Sequence, residues 1–142
     1  MKSILFIVFQ LFAVSIVGSA FAQCNADLYS EKSMKNISSG FLYEKSYRVD
    51  GKSGRKRTIE YSCILSKDTN YSFTMSTKDG GANGLVFSLL DGERNTVATN
   101  YYNNKFFEGL QYKCKSTGLY FMNFSFKESK SHCGAAVLAF RR

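Results

Sequence analysis

The stretch that decides the fold is Tyr-Ser-Phe-Thr-Met-Ser at residues 71–76, in which apolar and polar residues alternate with a period of two. Only an extended strand places every second side chain on one face, so the pattern predicts a half-buried β-strand. The same alternation surrounds Cys63 and recurs between residues 58 and 140, interrupted by turn residues. Seven or eight such runs in a chain of 142 residues predict an all-β protein built as a two-layer antiparallel β-sandwich.

Residues 1–22 have the features of a signal peptide. An almost uninterrupted apolar stretch follows Lys2, and Ala20-Phe21-Ala22 places small residues at the two positions that signal peptidase reads. Cleavage is expected before Gln23, which leaves residues 23–142 as a single β-sandwich domain. The protein is therefore expected to be secreted or periplasmic. A buried N-terminal helix is the alternative interpretation of the apolar stretch.

The chain is strongly basic. Its net charge is +8, and loss of Lys2 with the signal peptide subtracts one charge and leaves +7. Clustered bases attract anionic polymers, so the loop at residues 50–57 is a candidate for binding acidic glycans or anionic headgroups. The alternative is a solvated loop that aids solubility. Nucleic acid is not expected, because this loop contains no aromatic residue to stack on bases. The candidate polyanion-binding residues are Lys52, Arg55, Lys56 and Arg57.

Aromatic and amide side chains are concentrated between residues 101 and 107, where the sequence is Tyr-Tyr-Asn-Asn-Lys-Phe-Phe. Exposed rings can stack on the C–H faces of a sugar while amides bond its hydroxyl groups, so the segment predicts glycan recognition. The alternative is that Phe106 or Phe107 and one tyrosine return to the core, which leaves one aromatic side chain exposed. The candidate ligand-binding residues are Tyr101, Tyr102, Asn103 and Asn104.

The sequence contains no recognisable catalytic or metal-binding pattern. Its one histidine, His132, adjoins Cys133, and no G-x-S-x-G motif is present. Most carboxylates lie in or beside turns, where aspartate caps the backbone. Asp79 and Asn83 could offer oxygen ligands to calcium, but a neighbouring second carboxylate is missing. We therefore expect no enzymatic activity, no cofactor and no metal.

Three strand motifs in the second half of the chain resemble a known family. They are a strand that ends at Asp91, the segment Thr96–Asn100, and Thr-Gly-Leu-Tyr-Phe-Met-Asn-Phe at residues 117–124. In this order they resemble the bacterial pre-peptidase C-terminal domain over about residues 58–140. The resemblance implies a jelly-roll β-sandwich with an accessory or binding role instead of catalysis. The ending Cys-Gly-x-x-Val-Leu-x-Phe at residues 133–140 is also similar to that of small secreted bacterial proteins.

Four cysteines follow the expected cleavage site, and an even number in an exported protein predicts two disulfides. Zinc spacing is missing, since no C-x-x-C pair exists. Jelly-roll topology favours Cys63–Cys133 with Cys24–Cys114, because the strand of Cys63 is expected beside the last strand. Proximity along the chain favours Cys24–Cys63 with Cys114–Cys133.

The first part of the domain carries two weaker signals. Leu28, Met34 and Ile37 are spaced as on a helix, which predicts a short helix within residues 25–39. A strand is expected to follow and to place four apolar residues on one face. These are Phe41, Tyr43, Tyr47 and Val49.

Together these features predict a secreted, disulfide-bonded, non-catalytic binding or accessory module. Its expected partner is an extracellular polymer, a glycan in preference to a protein, with an anionic polymer as a further possibility. The alternative is a structural or assembly protein of the cell envelope that associates through an open sheet edge. Exposed aromatics at residues 101–107 would favour glycan binding, whereas an unprotected edge or an apolar patch would favour assembly.

Overall fold

The computed structural model describes residues 23–142, so the predicted signal peptide at residues 1–22 lies outside the described residues. A short 3₁₀ turn occupies Lys52–Gly54. No helix within residues 23–142 is long and apolar enough to cross a membrane. The other elements are helix α1 (Ala26–Lys35) and strands β1 (Leu42–Asp50), β2 (Thr58–Leu65), β3 (Asn70–Thr77), β4 (Leu85–Leu90), β5 (Thr96–Thr99), β6 (Tyr101–Tyr102), β7 (Lys105–Phe106), β8 (Gly109–Lys113), β9 (Gly118–Phe126) and β10 (Cys133–Arg141).

Eight of these strands form two antiparallel sheets of four strands each. Sheet A has the order β1-β10-β3-β8, and sheet B has the order β2-β9-β4-β5. When these eight strands are renumbered 1 to 8 in chain order, without β6 and β7, sheet A has the order 1-8-3-6 and sheet B has the order 2-7-4-5. This is the strand order of a jelly roll. β6 and β7 pair separately, as a hairpin inserted between β5 and β8. The predicted fold, an all-β two-layer sandwich of jelly-roll type, is confirmed.

The period-two alternation of the sequence produces the core between the sheets. The ring centroid of Phe87 lies 4.9 Å from that of Phe73 and 5.1 Å from that of Phe124, so the aromatic contacts join both sheets. Burial of a phenylalanine side chain stabilises the fold by roughly 1.5–3 kcal/mol. The aromatic strands recognised in the sequence therefore hold the two layers together.

Helix α1 packs on the outer face of sheet A, where it covers polar residues of β3. Ser72, Thr74 and Ser76 alternate with the core residues of this strand, yet all three are buried. The Ser33 hydroxyl oxygen lies 3.0 Å from that of Ser76, and the Thr74 hydroxyl donates to the Ser33 carbonyl oxygen at 3.0 Å. The helix thus replaces solvent as the hydrogen-bond partner of Thr74 and Ser76.

The predicted N-terminal helix is present, but its buried face differs from the one that the spacing indicated. Ala26, Tyr29 and Ser33 are buried against the sheet, whereas Leu28 and Met34 are exposed. Four of the nine residues of β10 beneath the helix are glycine or alanine, and Ala26 and Ser33 of the helix are also small. These small side chains allow close approach, and Tyr29 packs against Cys133 and Ala135.

Strand β1 is present as predicted, but Tyr43 does not join its buried face. Tyr47 and Val49 are buried as expected, while Tyr43 is exposed. The pairing register with β10 shifts between Tyr43 and Lys45. An extra residue in one strand reverses the alternation beyond it. The bulge therefore turns Tyr43 away from the core.

The structure joins Cys24 to Cys133, so both predicted cysteine pairings are wrong. The error lies in the position of Cys63, whose strand pairs with β9 in sheet B and not with β10 in sheet A. Cys24 directly precedes α1, and the packing of α1 on β10 brings the Cα atoms of Cys24 and Cys133 to 5.4 Å. Cys63 and Cys114 are free thiols. A disulfide is typical of an exported protein.

Both free thiols belong to residues that adjoin Tyr120. Cys63 is directly opposite Tyr120 in the pairing of β2 with β9, and the Cys114 thiol lies 3.6 Å from the Tyr120 hydroxyl oxygen. Burial, followed by the charges of Glu44 and Cys114, raises the pKa of the Cys63 thiol to about 12.

This raised pKa predicts an alkaline loss of stability. The unfolded thiol releases its proton near pH 9.0, whereas the native thiol keeps it up to about pH 12. The contribution of Cys63 to the free energy of unfolding is therefore constant below pH 9 and falls as the pH rises through this window. Urea unfolding of Cys63→Ala should show a shallower alkaline decline than the wild type. Equal slopes just above pH 9 would show that Cys63 does not titrate as described.

Candidate functional site

The predicted ligand-binding segment is a hairpin with a tight turn. β6 pairs with β7, and Asn103 and Asn104 form the two-residue turn between them. Their φ angles are 48° and 57°, both in the left-handed region. Asparagine tolerates this region better than most residues, and two such residues in succession are typical of a type I′ hairpin turn. We call residues 101–107 the aromatic hairpin.

The aromatic hairpin directs two of its rings inward and two outward. The ring centroids of Tyr101 and Phe106 lie 4.8 Å apart, and Phe106 packs against the core. Tyr102 is 67% exposed and Phe107 is 48% exposed. Phe106 returns to the core, as the alternative interpretation expected, whereas Tyr101 is half-buried against Phe106 and two aromatic side chains remain exposed instead of one.

Polar contacts hold the tip of the aromatic hairpin in place. The Tyr101 hydroxyl donates to the side-chain oxygen of Asn104 at 3.0 Å. The ammonium group of Lys127 lies 4.9 Å from the centre of the Tyr101 ring, within range of a cation–π contact. Tyr101 and Asn104 therefore hold the turn through their mutual hydrogen bond, and the exposed members of the predicted set are Tyr102, Asn103 and Asn104.

Asn100 anchors the base of the aromatic hairpin. It is 1% exposed, and its side-chain oxygen accepts the Phe87 amide at 2.7 Å. Its side-chain nitrogen donates to the carbonyl oxygens of Leu85 and Phe107, at 3.0 and 3.1 Å. A buried amide that satisfies three backbone groups fixes the hairpin to β4. Sequence reasoning missed this role, although Asn100 closes the strand motif that resembles the pre-peptidase family.

The four predicted polyanion-binding residues lie in one exposed loop between β1 and β2. The loop rests on His132, because the Gly51 amide donates to the His132 carbonyl oxygen at 2.8 Å. A Cβ atom on Gly54 would lie 3.2 Å from the His132 ring. His132 also contacts Phe126, with ring centroids 5.6 Å apart. In the described residues, His132 thus supports a loop.

Asp50 neutralises part of the charge of the basic loop. The Lys52 ammonium lies 3.3 Å from the Asp50 carboxylate, and the Arg48 guanidinium lies 3.6 Å from it. Burial acts to raise the pKa of Asp50, but hydrogen bonds and charge from Lys52, with the charge of Arg48, lower it overall. These residues line an open cleft of about 350 Å³ together with Cys24 and Arg55. The binding of polyanions by this loop stays a prediction.

The glycine-rich loop uses its oxygen atoms within the protein. The Asp79 carboxylate accepts a hydrogen bond of 2.5 Å from the Ser129 hydroxyl, and the Asn83 carbonyl oxygen accepts one from Thr77. Within residues 23–142, no three His, Cys, Asp or Glu side chains cluster as a metal site would require.

The outer face of sheet B differs from that of sheet A, because no helix of the described residues covers it. Ile64, 63% exposed, pairs in register with the exposed Leu119. The guanidinium of Arg94 lies 3.8 Å above the Phe121 ring and forms an ion pair of 2.6 Å with Glu60. This mixed apolar and charged surface is the feature that would favour assembly.

No protein-family model and no curated protein sequence matches this chain. Among solved structures, one that is similar is the periplasmic inhibitor of g-type lysozyme from Aeromonas hydrophila, with 13% identity and a TM-score of 0.43 over 74% of this chain and 90% of that chain. Another is the pre-peptidase C-terminal domain of a collagenase from Bacillus anthracis, with 13% identity and a TM-score of 0.46 over 70% of this chain and 88% of that chain.

The second of these structures belongs to the family that the strand motifs resemble. Similarity at this level of identity does not say what the present chain binds.

Proposed function

We propose that residues 23–142 form one exported, non-catalytic module that recognises an extracellular glycan through the aromatic hairpin. The observation that carries the proposal is the exposure of Tyr102 and Phe107 on a segment that Asn100 and Tyr101 hold in place. Exposed apolar rings on a fixed turn lose little conformational entropy on binding. The two rings offer faces for sugar C–H groups, and Asn103 offers an amide for hydroxyl groups.

The surroundings of the aromatic hairpin suit a polymer that is neutral or carries some negative charge. Lys105 belongs to the hairpin, and the ammonium group of Lys127 lies against the Tyr101 ring. Export follows from the predicted signal peptide and agrees with the disulfide between Cys24 and Cys133. Location in the periplasm, at the cell surface or in the medium is compatible with the same chemistry.

The experiment that tests the proposal is a glycan array probed with residues 23–142, followed by affinity measurements on the strongest ligand. We expect Tyr102→Ala and Phe107→Ala each to weaken binding by about tenfold or more, because aromatic residues dominate binding energy in small contact areas. Both side chains are exposed, so each replacement should change the free energy of unfolding by no more than about 0.5 kcal/mol.

A variant of the basic loop supplies the matched control. Replacement of Lys52, Arg55, Lys56 and Arg57 by Ser should leave the binding of an uncharged glycan intact. If the loop binds polyanions, the same variant should elute earlier from heparin, with a smaller dependence of retention on salt. Glycan binding that survives both hairpin replacements but is lost in this variant would overturn the proposal.

The second candidate function is assembly in the cell envelope through protein contacts. It is favoured by the uncovered face of sheet B, where Ile64 and Leu119 are exposed side by side. Self-association that depends on this face would appear in analytical ultracentrifugation and be abolished by Ile64→Lys. A monomer at all concentrations would favour the glycan proposal over assembly.

A further inference from the structure

A polar groove lies on the outer face of sheet A, between the end of α1 and the edge strand β8. Its volume of about 320 Å³ is at the lower end of the range for small-molecule sites. Most of its lining consists of hydroxyl, amide and carboxylate groups. The lining includes Asn36, Ser72, Thr74, Glu108, Gly109 and Gln111.

The floor of the groove is formed by two rungs of the pairing between β3 and β8. Ser72 pairs with Gln111, and Thr74 pairs with Gly109. Directly opposed residues of an antiparallel pair point to the same face, so the missing side chain of Gly109 leaves space above Thr74. Ser72 is 3% exposed, and its side chain lines the groove together with that of Gln111.

The wall of the groove carries one ionisable group, the carboxylate of Glu108. The Asn36 side-chain amide donates to this carboxylate at 3.4 Å. A Cβ atom on Gly81 would lie 2.6 Å from the other carboxylate oxygen, so the backbone of the glycine-rich loop also lies close to Glu108. The groove therefore presents a positioned acceptor with negative charge in a protein that is otherwise basic.

The geometry points to a binding site for one hydroxyl-bearing sugar residue that carries no negative charge. Hydroxyl and amide side chains both donate and accept hydrogen bonds, as sugar hydroxyl groups require. Glu108 accepts from hydroxyl or ammonium groups and repels a carboxylate or sulfate. The groove thus selects neutral sugars and amino sugars against uronic acids, the opposite of what the basic loop would select.

This inference rests on the proposed function, because the groove begins at Glu108, the residue that follows the aromatic hairpin. One glycan chain could stack on the hairpin and place a neighbouring sugar unit in the groove. Binding by the groove can also be tested alone, because we expect it to bind a single sugar that does not contact the hairpin rings. The two claims can therefore fail separately.

The test is a titration of residues 23–142 with the methyl glycosides of neutral hexoses, with methyl glucosaminide and with methyl glucuronide, followed by NMR. We expect a neutral or amino sugar to shift the amides of residues 108–111 and to bind at least about tenfold more tightly than the glucuronide. The isosteric variant Glu108→Gln should bring the glucuronide to within about threefold of its neutral counterpart. Equal binding of both sugars to the wild type, or no binding of either, would overturn the inference.

A second variant fills the groove without disturbing the strand. A Cβ atom at Gly109 would lie 3.5 Å from its nearest neighbour, an ordinary contact, and valine suits a strand. Gly109→Val should weaken sugar binding by about tenfold or more, while Gly118→Val, where the Cβ atom meets nothing within 4 Å, should not. Undiminished binding by Gly109→Val would refute the site.

Variants of the aromatic hairpin separate the two claims. Tyr102→Ala should weaken the polymer but leave the single sugar in the groove unaffected. If Gly109→Val weakens the polymer and Tyr102→Ala does not, the groove stands and the hairpin proposal falls. If only Tyr102→Ala matters, the hairpin proposal stands and the groove is refuted.

Discussion

Replacement of both Cys24 and Cys133 by Ala is expected to lower the free energy of unfolding by about 4–5 kcal/mol. The disulfide closes a loop with a sequence separation of 109 residues, so its loss frees nearly the whole unfolded chain. It also fastens the start of α1 to β10, on which the helix packs. Without the bond, α1 is held by a small buried face and by hydrogen bonds between Ser33 and the β3 residues Thr74 and Ser76.

Urea unfolding measures this loss, and peptide mapping without reduction verifies the bond itself. Cys63→Ala is the matched control, because Cys63 is a free thiol and its replacement leaves the disulfide in place. The map should contain a peptide that joins Cys24 to Cys133, and denaturing alkylation should label two thiols. A double variant as stable as the control, or a bond from Cys24 to another cysteine, would contradict this account.

Asn100→Ala is expected to destabilise the protein by about 3–5 kcal/mol and to disorder the aromatic hairpin. The replacement leaves three backbone groups without their partner, the buried Phe87 amide and Leu85 carbonyl oxygen and the part-buried Phe107 carbonyl oxygen. It also opens a cavity beside the core. Affinity for the glycan should therefore fall even though Asn100 itself is buried and does not touch the ligand.

Asn95→Ala is the control for this change, because Asn95 is exposed and its side chain makes one long contact of 3.5 Å with Asp91. We expect it to change stability by no more than about 0.5 kcal/mol. Thermal unfolding together with amide hydrogen exchange at residues 101–107 separates the global loss from the local one. An Asn100→Ala protein with wild-type stability and a protected hairpin would show that Asn100 does not act as an anchor.

The alternation of apolar and polar residues predicts the β-sandwich, because every second side chain of a half-buried strand faces the core. Residues 71–76 show this alternation, and the strand motifs that end at Asp91 and Asn100 favour the jelly roll. What escaped prediction depends on contacts between elements distant in sequence. The polar face of β3 is buried only because α1 lies on it, and a bulge before Lys45 alters the face of Tyr43.

The cysteine pairing was mispredicted for a similar reason. The jelly-roll type of the fold is predicted correctly. The predicted neighbour of the Cys63 strand is wrong, because this strand pairs with β9 in sheet B and not with β10 in sheet A. The position of Cys24 follows from the helix, whose buried face of Ala26, Tyr29 and Ser33 has too little apolar area to be recognised from periodicity. Tertiary packing, and not local sequence, brings Cys24 to Cys133.

The candidate site was predictable only in part. The composition of residues 101–107 marked the aromatic hairpin, and the pair Asn103-Asn104 suits its turn. The groove was not predictable, because its lining combines the end of α1, the outer face of β3 and the start of β8. Ser72 and Gly109 have no distinctive pattern in the sequence and acquire their roles only through the strand pairing.

Chemical-shift mapping of the protein with the strongest glycan from the array tests glycan recognition by the aromatic hairpin, because it locates the bound polymer on the surface. We expect the largest amide shifts in residues 101–107, around Tyr102 and Phe107, and we expect them to disappear in Tyr102→Ala. Shifts confined to the basic loop at residues 50–57 or to the outer face of sheet B, with the aromatic hairpin unchanged, would contradict it.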